Sequence, residues 1–412
     1  MKDLSPQSLV IRVTRTCSRQ MGTMSTATST YRYTPLDPSD RQIRLIELQP
    51  GQDDQPVLCR ILITSLNDPT PYEALSYTWG DLRDLTEISI DDCSFDVGTN
   101  LARILQGLRD PSACRILWID AVCINQQDIQ EKGHQVSQMV HIYGHAQRTI
   151  VWLGGHRNSP NRTQGAEAIK ELSRLGQLIR KHRLIEIYHY VARDETPPWL
   201  VDRPTTMILV VGLLLDIGNR LLDPSAWPMI KFLSKQKWWR RAWVLQEVVV
   251  ANEVRVVFGR VVCDWSDVSA PFVLLQTASD DLLNFPALSA IFANRDSPGI
   301  PDSTAQVTLP TLDYQVVNTD AMRCRRVSGE PLKLLDLLYM QRRSLCQFPV
   351  DRIYSLVGML PVEERAALRP DYTLPDWRVF QHVARYLAES TGRLDFLCMV
   401  RRLRPDRRRQ VF

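Results

Sequence analysis

The length, composition and charge of the chain exclude several classes of protein. Its 412 residues are 44% hydrophobic and 23% charged, which is ordinary for a globular protein and enough for two or three compact domains. The net charge is +4, but residues 401–412 hold six Arg and one Asp, so this tail carries +5 and the rest carries −1. A near-neutral body with a basic tail excludes a nucleic-acid-binding core, and we expect no nucleic-acid partner.

The cysteine, histidine and apolar patterns favour a cytoplasmic protein without a metal. Nine Cys are scattered without a CxxC pair, which is typical of reduced, intracellular usage. Seven His show no zinc-site spacing, so we expect no metal and no prosthetic group. The longest apolar run, Met207–Leu215, has nine residues and contains Gly212, far short of the roughly 20 that span a bilayer. We therefore expect no membrane partner.

The N-terminal part predicts a disordered leader followed by strands. Residues 1–30 are rich in Ser and Thr and lack the apolar core of a secretory signal. Two strands, Ile43–Leu48 and Val57–Ile63, are predicted on either side of a turn at Pro50 and Gly51. The next elements are a strand at Glu73–Trp79 that ends in Gly80 and Asp81, a hairpin of Ile88–Ile90 with Ser94–Val97 around Asp91 and Asp92, and a helix at Asn100–Arg109.

The pattern then alternates between strand and helix. Ile116–Ile119 is a short apolar run that ends on Asp120, and Thr149–Leu153 is another that is closed by Gly154 and Gly155. Between them, Asp128 with Glu131 is a capping signature that predicts a helix start. Alternating strands and helices favour a parallel α/β sheet flanked by helices.

Ligands of such sheets bind beyond the carboxyl ends of the strands, so this pattern also predicts a site. The residues at that edge are Trp79, Gly80, Asp81, Asp120 and Gly154. A long insertion at about 156–237 is predicted to be helical around Ala166–Leu184 and Ala226–Leu233. Val254–Phe258 is predicted as a further parallel strand, and Leu332–Leu345 and Asp351–Leu360 as helices of a mainly helical C-terminal region.

The segment Trp238–Ala251, WWRRAWVLQEVVVA, places one acid in an apolar run. Read as one helix, Trp239, Trp243 and Glu247 are spaced i, i+4, i+8 and share a face. A carboxylate in such surroundings needs either a partner or a chemical task. The structural alternative is that Glu247 pairs with Arg240, with Arg241 or with a backbone amide.

Three blocks of the chain resemble the heterokaryon incompatibility (HET) domain of filamentous fungi. They are YEALSYTWGD at 72–81, LWIDAVCINQQD at 117–128 with QVSQMVHIYGHA at 135–146, and WWRRAWVLQE at 238–247. The resemblance extends to YRYTPLD at 31–37 and DRIYSLVGMLP at 351–361. Departures from the family pattern are Thr78 for Val, Lys237 for Pro and Gly133 for Ser. The resemblance implies a protein of non-self recognition that triggers programmed cell death.

The order of elements is also similar to that of TIR domains, which are flavodoxin-like modules of death and immune signalling. RRAWVLQEVV resembles their S-x-W-C-L-x-E-L helix, whose glutamate cleaves NAD in the enzymatic members, and Glu247 stands at the matching position. This resemblance implies that NAD is a substrate rather than a bound cofactor. It also implies activation by self-assembly, in which the loop after the second strand, here Ala121–Gly133 with Gly133 as a hinge, is repositioned.

Cleavage of the bond between ribose and nicotinamide passes through an oxocarbenium-like state that a carboxylate stabilises. We expect Glu247 in that role, Asp120 and Asp81 on the ribose, and Trp79 or Trp243 stacked on a ring. Gly80 and Gly154 would let backbone amides approach phosphates, and Asn125 lies in the loop that completes the site. The alternatives are that the tryptophans belong to the core and that Asp81 and Asp120 bond their own loops.

The sequence thus predicts four parts: a leader at 1–30, a HET domain at 31–270 that includes the insertion, a helical region at 271–400 and a basic tail at 401–412. Two functions remain open. One is an NAD hydrolase that associates with itself through the HET domain and is activated by an unidentified protein partner. The other is a death-signalling module without enzymatic activity.

Overall fold

The computed structural model describes residues 29–192 apart from 53, 54, 82, 158 and 160, residues 198, 199, 201, 212, 213, 217, 232 and 236–282, and residues 314–394 apart from 343, together with 396. The predicted leader up to residue 28, the predicted helix around 226–233 apart from residue 232, and the basic tail lie outside these residues. The chain divides into two compact units, the first from residues 1–72 and 79–125 and the second from residues 73–78 and 126–412.

The fold is of the mixed α/β class. Its strands are β1 (Gln42–Leu48), β2 (Leu58–Ser65), β3 (Glu73–Ser76), β4 (Leu85–Ile90), β5 (Cys93–Gly98), β6 (Arg115–Trp118), β7 (Arg148–Gly154), β8 (Val254–Phe258) and β9 (Val261–Asp264). Its helices are α1 (Thr99–Leu108), α2 (Asp120–Cys123), α3 (Ile129–His145), α4 (Arg162–Lys181), α5 (Leu184–Ala192), α6 (Val244–Val249), α7 (Trp265–Leu282), α8 (Tyr314–Val327), α9 (Leu334–Gln341), α10 (Asp351–Val357), α11 (Val362–Ala367) and α12 (Asp376–Thr391).

The first unit holds the predicted N-terminal β extension. β1 pairs antiparallel with β2 on one side and with β6 on the other, while β2 pairs parallel with β4. β4 and β5 form the predicted hairpin, and its turn residues Asp91 and Asp92 have φ angles of 49° and 61°. Such left-handed turns match the twist of the strands, and Asp tolerates them better than most residues.

The sheet is not parallel throughout, because β6 pairs antiparallel with β1 of the N-terminal β extension. Alternation along the chain shows which segments are strands, but it does not show that an earlier strand of opposite direction lies beside a later one. The sheet is therefore mixed.

The second unit contains the parallel strands that the sequence predicted around Glu247. β3 pairs parallel with β7, and β7 pairs parallel with β8. β9 then pairs antiparallel with β8 and adds a strand that was not predicted. Residues 149–153 of β7 are all buried, as expected for a strand covered on both faces.

Helices of the second unit confirm the helical insertion and the helical C-terminal region. The insertion contributes α4 and α5, and α7 to α12 follow the parallel strands. The Asp128 carboxylate caps α3 by accepting from the N–H groups of Gln130 and Glu131, as the capping signature predicted. Within the described residues, no helix is both long enough and apolar enough to cross a membrane.

Gly133, the predicted hinge, lies in a helix and not in a loop. Gly133 was expected in the loop after Asp120, but it lies inside α3, because the Asp128 cap starts that helix five residues earlier than the loop was predicted to end. The loop between α2 and α3 is therefore short, at residues 124–128.

Candidate active site

The segment that carries Glu247 is not the single helix that its spacing predicted. Lys237–Arg240 form a 3-10 turn, Arg241 is extended, with φ −73° and ψ 138°, and α6 begins only at Val244. The segment bends because Arg241 pairs with Leu345 in an isolated β-bridge, a tertiary contact that overrides local helix propensity. Trp239 therefore does not share a helix face with Glu247.

Glu247 is completely buried, with 0% of its surface exposed, and both of its carboxylate oxygens are engaged. Arg241 donates from Nη1 to Oε2 and from Nη2 to Oε1, each at 3.2 Å. The Ser76 hydroxyl also donates to Oε2. A bidentate arginine–carboxylate pair of this kind is among the strongest hydrogen-bonded pairs in proteins and fixes the orientation of the carboxylate.

A relay of hydrogen bonds orients the serine. The indole N–H of Trp238 donates to Ser76 Oγ at 2.8 Å, so the serine proton is directed toward Glu247. Trp238 itself is buried and packs edge-on against Trp239, with ring centroids 4.8 Å apart. Trp238 and Trp239, the tryptophans of the 3-10 turn, are therefore core residues.

The backbone around this group is fixed from several sides. Ser76 is the last residue of β3, and the preceding carbonyl of Leu75 accepts from the Tyr143 hydroxyl at 3.1 Å. The carbonyl of Glu247 accepts from Thr149 Oγ1 at 3.3 Å. At the end of α6, the Arg323 guanidinium donates to the carbonyls of Val248 (2.7 Å) and Asn252 (2.9 Å), which satisfies acceptors that a helix end leaves open.

Trp243 directly precedes α6 and is partly buried. Its side chain is a hydrogen-bond donor to the carboxylate of Asp351, which also accepts from the Tyr372 hydroxyl at 2.7 Å. Asp351 is 5% exposed, and burial raises its pKa above the usual 3.8. The polar edge of Trp243 is thus directed toward Asp351.

Gly154 ends β7 with a φ of 131°, a conformation open to glycine and rarely to other residues. Its carbonyl accepts from the N–H of Gly259 at 2.8 Å. A Cβ atom on Gly154 would lie 3.4 Å from the Phe258 ring, and one on Gly155 would clash with that ring and with Gly259. The glycine pair therefore permits the close approach of β7 and the end of β8.

In the first unit, the structure brings together two of the predicted residues. The indole N–H of Trp79 donates to Asp120 Oδ2 at 2.9 Å, and the N–H of Ala121 donates to Oδ1 at 2.8 Å. Asp120 is the first residue of α2 rather than part of a loop. Both side chains are partly buried, so the pair has restricted contact with solvent.

The remaining predicted residues of the first unit have separate surroundings. Asp81 is exposed and accepts from the backbone and side chain of Arg83, and these hydrogen bonds lower its pKa to about 2. Gly80, four residues after the end of β3, has a φ of 85°, which favours glycine. Asn125 follows α2 and is partly buried.

The predicted residues thus fall into two groups, one in each unit. In the first unit these are Trp79, Gly80, Asp81, Asp120 and Asn125, and in the second Gly154, Trp243 and Glu247. Ser76 was not among the predicted residues, although it lies at the carboxyl end of a parallel strand, where functional groups are expected to gather.

Among the described residues, no three His, Cys, Asp or Glu side chains are grouped as a metal ion would require. The groups that this arrangement offers to a ligand are a carboxylate, a guanidinium and a hydroxyl. A carboxylate so held can stabilise a positive charge, provided that the guanidinium moves away from it.

Comparisons with known proteins show which family this part of the chain resembles. Residues 72–247 match the family described as "Heterokaryon incompatibility protein (HET)", and the match ends at Glu247. Heterokaryon incompatibility protein 6, OR allele, of Neurospora crassa is 25% identical, with the alignment covering 87% of this chain and 53% of that protein. The chain therefore spans about half the length of this curated relative. No solved structure matches the chain.

Proposed function

Because residues 72–247 match the heterokaryon incompatibility (HET) family, we propose that the chain acts in fungal non-self recognition and triggers cell death by TIR-like hydrolysis of NAD. The observation that carries the proposal is the position of Glu247, whose carboxylate meets Ser76 at the carboxyl end of the parallel strand β3. That end of a strand is where α/β proteins bind their ligands. The proposed place of action is the cytosol.

The proposed chemistry needs one negatively charged group beside the ribose carbon whose bond to nicotinamide breaks. As nicotinamide leaves, positive charge develops on the ribose, and the Glu247 carboxylate stabilises it. Ser76 keeps the carboxylate oriented through its own hydrogen bond. Asp120 and Asp81 remain the proposed ribose partners, and Trp79, Gly80, Asn125, Gly154 and Trp243 the proposed residues for the rest of NAD.

The observed arrangement corresponds to a resting state of this proposed enzyme. Arg241 occupies both oxygens of Glu247, and only 15% of the Arg241 side chain is exposed. Substrate therefore reaches Glu247 only after Arg241 has moved. We propose that self-association through the HET domain, driven by an activating protein partner, causes this movement.

The decisive experiment incubates the purified full chain with NAD and follows released nicotinamide by chromatography. The chain is assayed alone and fused to an oligomerising tag, because the proposed resting state predicts little release from the dilute chain. Release by the tagged chain supports the hydrolase. Its absence at all concentrations in both forms refutes the hydrolase.

A second candidate function, a death-signalling module without catalysis, is favoured by the full engagement of Glu247. A buried carboxylate with a two-pronged arginine partner is also what a purely structural ion pair looks like. On this reading, Glu247 and Arg241 only hold the fold. The module predicts cell killing that survives Glu247→Gln as long as the variant folds, whereas the hydrolase predicts that killing is lost.

A further inference from the structure

The bend between the 3-10 turn and α6 is held by residues far along the chain. The N–H of Ala242 donates to the carbonyl of Leu345 at 2.9 Å, and the N–H of Leu345 donates to the carbonyl of Arg240 at 2.5 Å. Leu345 thus pairs with this segment as a neighbouring strand would. Arg241, the partner of Glu247, lies between the two bonded residues.

A buried amide completes this contact. Gln341, at the end of α9 and 4% exposed, donates from Nε2 to the carbonyl of Ala242. Its own Oε1 accepts from the Ser355 hydroxyl of α10 at 3.2 Å, which fixes the direction of the amide. Both backbone groups of Ala242 are therefore satisfied by the C-terminal region rather than by a continuous helix.

A third contact lies one residue further on, at Trp243. Asp351 accepts from Trp243 and from Tyr372, as described above. The ammonium group of Lys132, on α3, lies over the rings of Phe348 (4.4 Å) and Tyr372 (5.3 Å) and partly balances the charge of Asp351. We call Gln341, Leu345 and Asp351 the clamp.

We propose that the clamp positions Arg241 against Glu247 and thereby withholds the carboxylate, with Gln341 as its positioning residue. Arg241 reaches Glu247 from an extended backbone, and the clamp supplies the hydrogen bonds that keep this backbone extended. The withholding role rests on the proposed function; the positioning role does not. All three clamp residues lie beyond the residues that match the family.

The test compares two buried glutamines of the same region. Gln341→Met removes the amide that holds Ala242. Gln315→Met is the matched control, because Gln315 is also buried but donates to Ser344 at 2.7 Å. Ser355→Ala, which only frees the Gln341 amide to turn, serves as the second variant if Gln341→Met does not fold. Hydrogen exchange by mass spectrometry is measured on the full chain over residues 241–249, and nicotinamide release is measured in parallel.

We expect exchange over residues 241–249 to be about tenfold faster in Gln341→Met and about threefold faster in Ser355→Ala, since a hydrogen bond to a buried carbonyl is lost or loosened. The control should match the wild type over these residues. We also expect nicotinamide release to rise in Gln341→Met and not in the control.

Three results would decide against part or all of the proposal. Equal exchange in Gln341→Met and Gln315→Met, or in Ser355→Ala and the wild type where that variant is needed, overturns the positioning role. Faster exchange with unchanged release, in a chain that does cleave NAD, overturns the withholding role. Faster exchange with no release from any form supports the positioning role and refutes the proposed hydrolase, so the two failures are distinguishable.

Discussion

At the scale of single residues, the Arg241–Glu247 ion pair means that a substitution of Glu247 changes the stability of the chain as well as any activity. Glu247→Gln keeps the shape of the side chain but leaves the guanidinium of Arg241 without a counter-charge in a nearly buried place. Removing one partner of a buried pair costs about 3–5 kcal/mol, and we expect about 2–4 here because Arg241 keeps some contact with solvent. The Glu247→Gln chain should therefore unfold several degrees lower.

We predict that Glu247→Gln also abolishes nicotinamide release, because it removes the charge that meets the oxocarbenium. The unfolding temperature of the variant is first measured by thermal denaturation, and release of nicotinamide is then measured well below that temperature. Glu253→Gln is the control, since Glu253 is partly exposed, forms ion pairs with Arg148 and Arg255, and should change stability by less than about 1 kcal/mol. Turnover that survives in a folded Glu247→Gln chain would remove Glu247 from the mechanism.

Asp351 predicts a dependence of stability on pH. Burial raises its pKa above 3.8 in the folded chain, more than the Tyr372 hydrogen bond and Lys132 lower it. The folded state therefore binds this proton more tightly than the unfolded state does. The stability that this proton contributes is fully present below pH 3.8 and is lost as the pH rises through the folded pKa. At neutral pH, the ionised Asp351 costs stability.

We predict that Asp351→Asn unfolds at a higher temperature than the wild type at pH 7.5, and that the difference shrinks as the pH falls toward 4. The thiol of Cys346 does not interfere, because burial raises its pKa to about 11 and it stays neutral throughout. Asp336→Asn is the control, as Asp336 is more exposed and pairs with Arg325. A difference that is constant across this range would show that Asp351 does not titrate in it.

At the scale of elements, the sequence predicts what local pattern controls. The strands at Ile43–Leu48, Thr149–Leu153 and Val254–Phe258 appear within one or two residues of their predicted bounds, since apolar runs and turn residues define them. The bend before α6 was missed because it depends on Leu345 and Gln341, which lie about a hundred residues away. The spacing of residues within the segment gives no information about partners so far along the chain, so the bend could not be predicted from it.

Two helical glycines provide a matched prediction. Gly133, inside α3, has open space where a Cβ would lie, so Gly133→Ala should stabilise the chain by about 0.5–1 kcal/mol through helix propensity. Gly176, inside α4, faces the backbone of Asp267 on α7, and a Cβ there would overlap it. We expect Gly176→Ala to cost about 1–3 kcal/mol or more.

Urea unfolding of the two variants measures both effects. A stabilised Gly133→Ala chain would also bear on how activity is regulated, because it would agree with a helix rather than a hinge at residue 133. If Gly133→Ala destabilised the chain as much as Gly176→Ala, the first turns of α3 would not be the open helix that the structure shows.

At the scale of the whole molecule, the sequence singled out Glu247 but not most of the residues that surround it. Glu247 was identified from its apolar surroundings, and Arg241 was one of the pairing alternatives. Ser76 and the clamp were missed because the sequence shows which residues are unusual, whereas the structure shows which residues surround them. The predicted NAD-binding residues are divided between two units, so their joint role stays a prediction.

The last prediction concerns activation. A constitutive NAD hydrolase would kill the cell that makes it. In the structure, the Arg241 guanidinium donates hydrogen bonds to both carboxylate oxygens of Glu247. The proposed hydrolase therefore needs an external event that displaces Arg241, and assembly of several chains can supply one without a further ligand or modification. We predict that the dilute chain releases little nicotinamide and that specific activity rises with protein concentration or with a fused oligomerising tag.

Substitution of Asn125 and Gln126 by Ala should blunt this rise without unfolding the chain, because both residues lie in the short connection between α2 and α3. Gln341→Met should respond less to concentration than the wild type, since its Arg241 segment is already loosened. Specific activity is measured over at least a hundredfold range of concentration, with sedimentation to follow assembly. If nicotinamide release is measurable but does not rise while the tagged chain assembles, assembly is not the trigger, and the displacement of Arg241 must come from contact with a different protein.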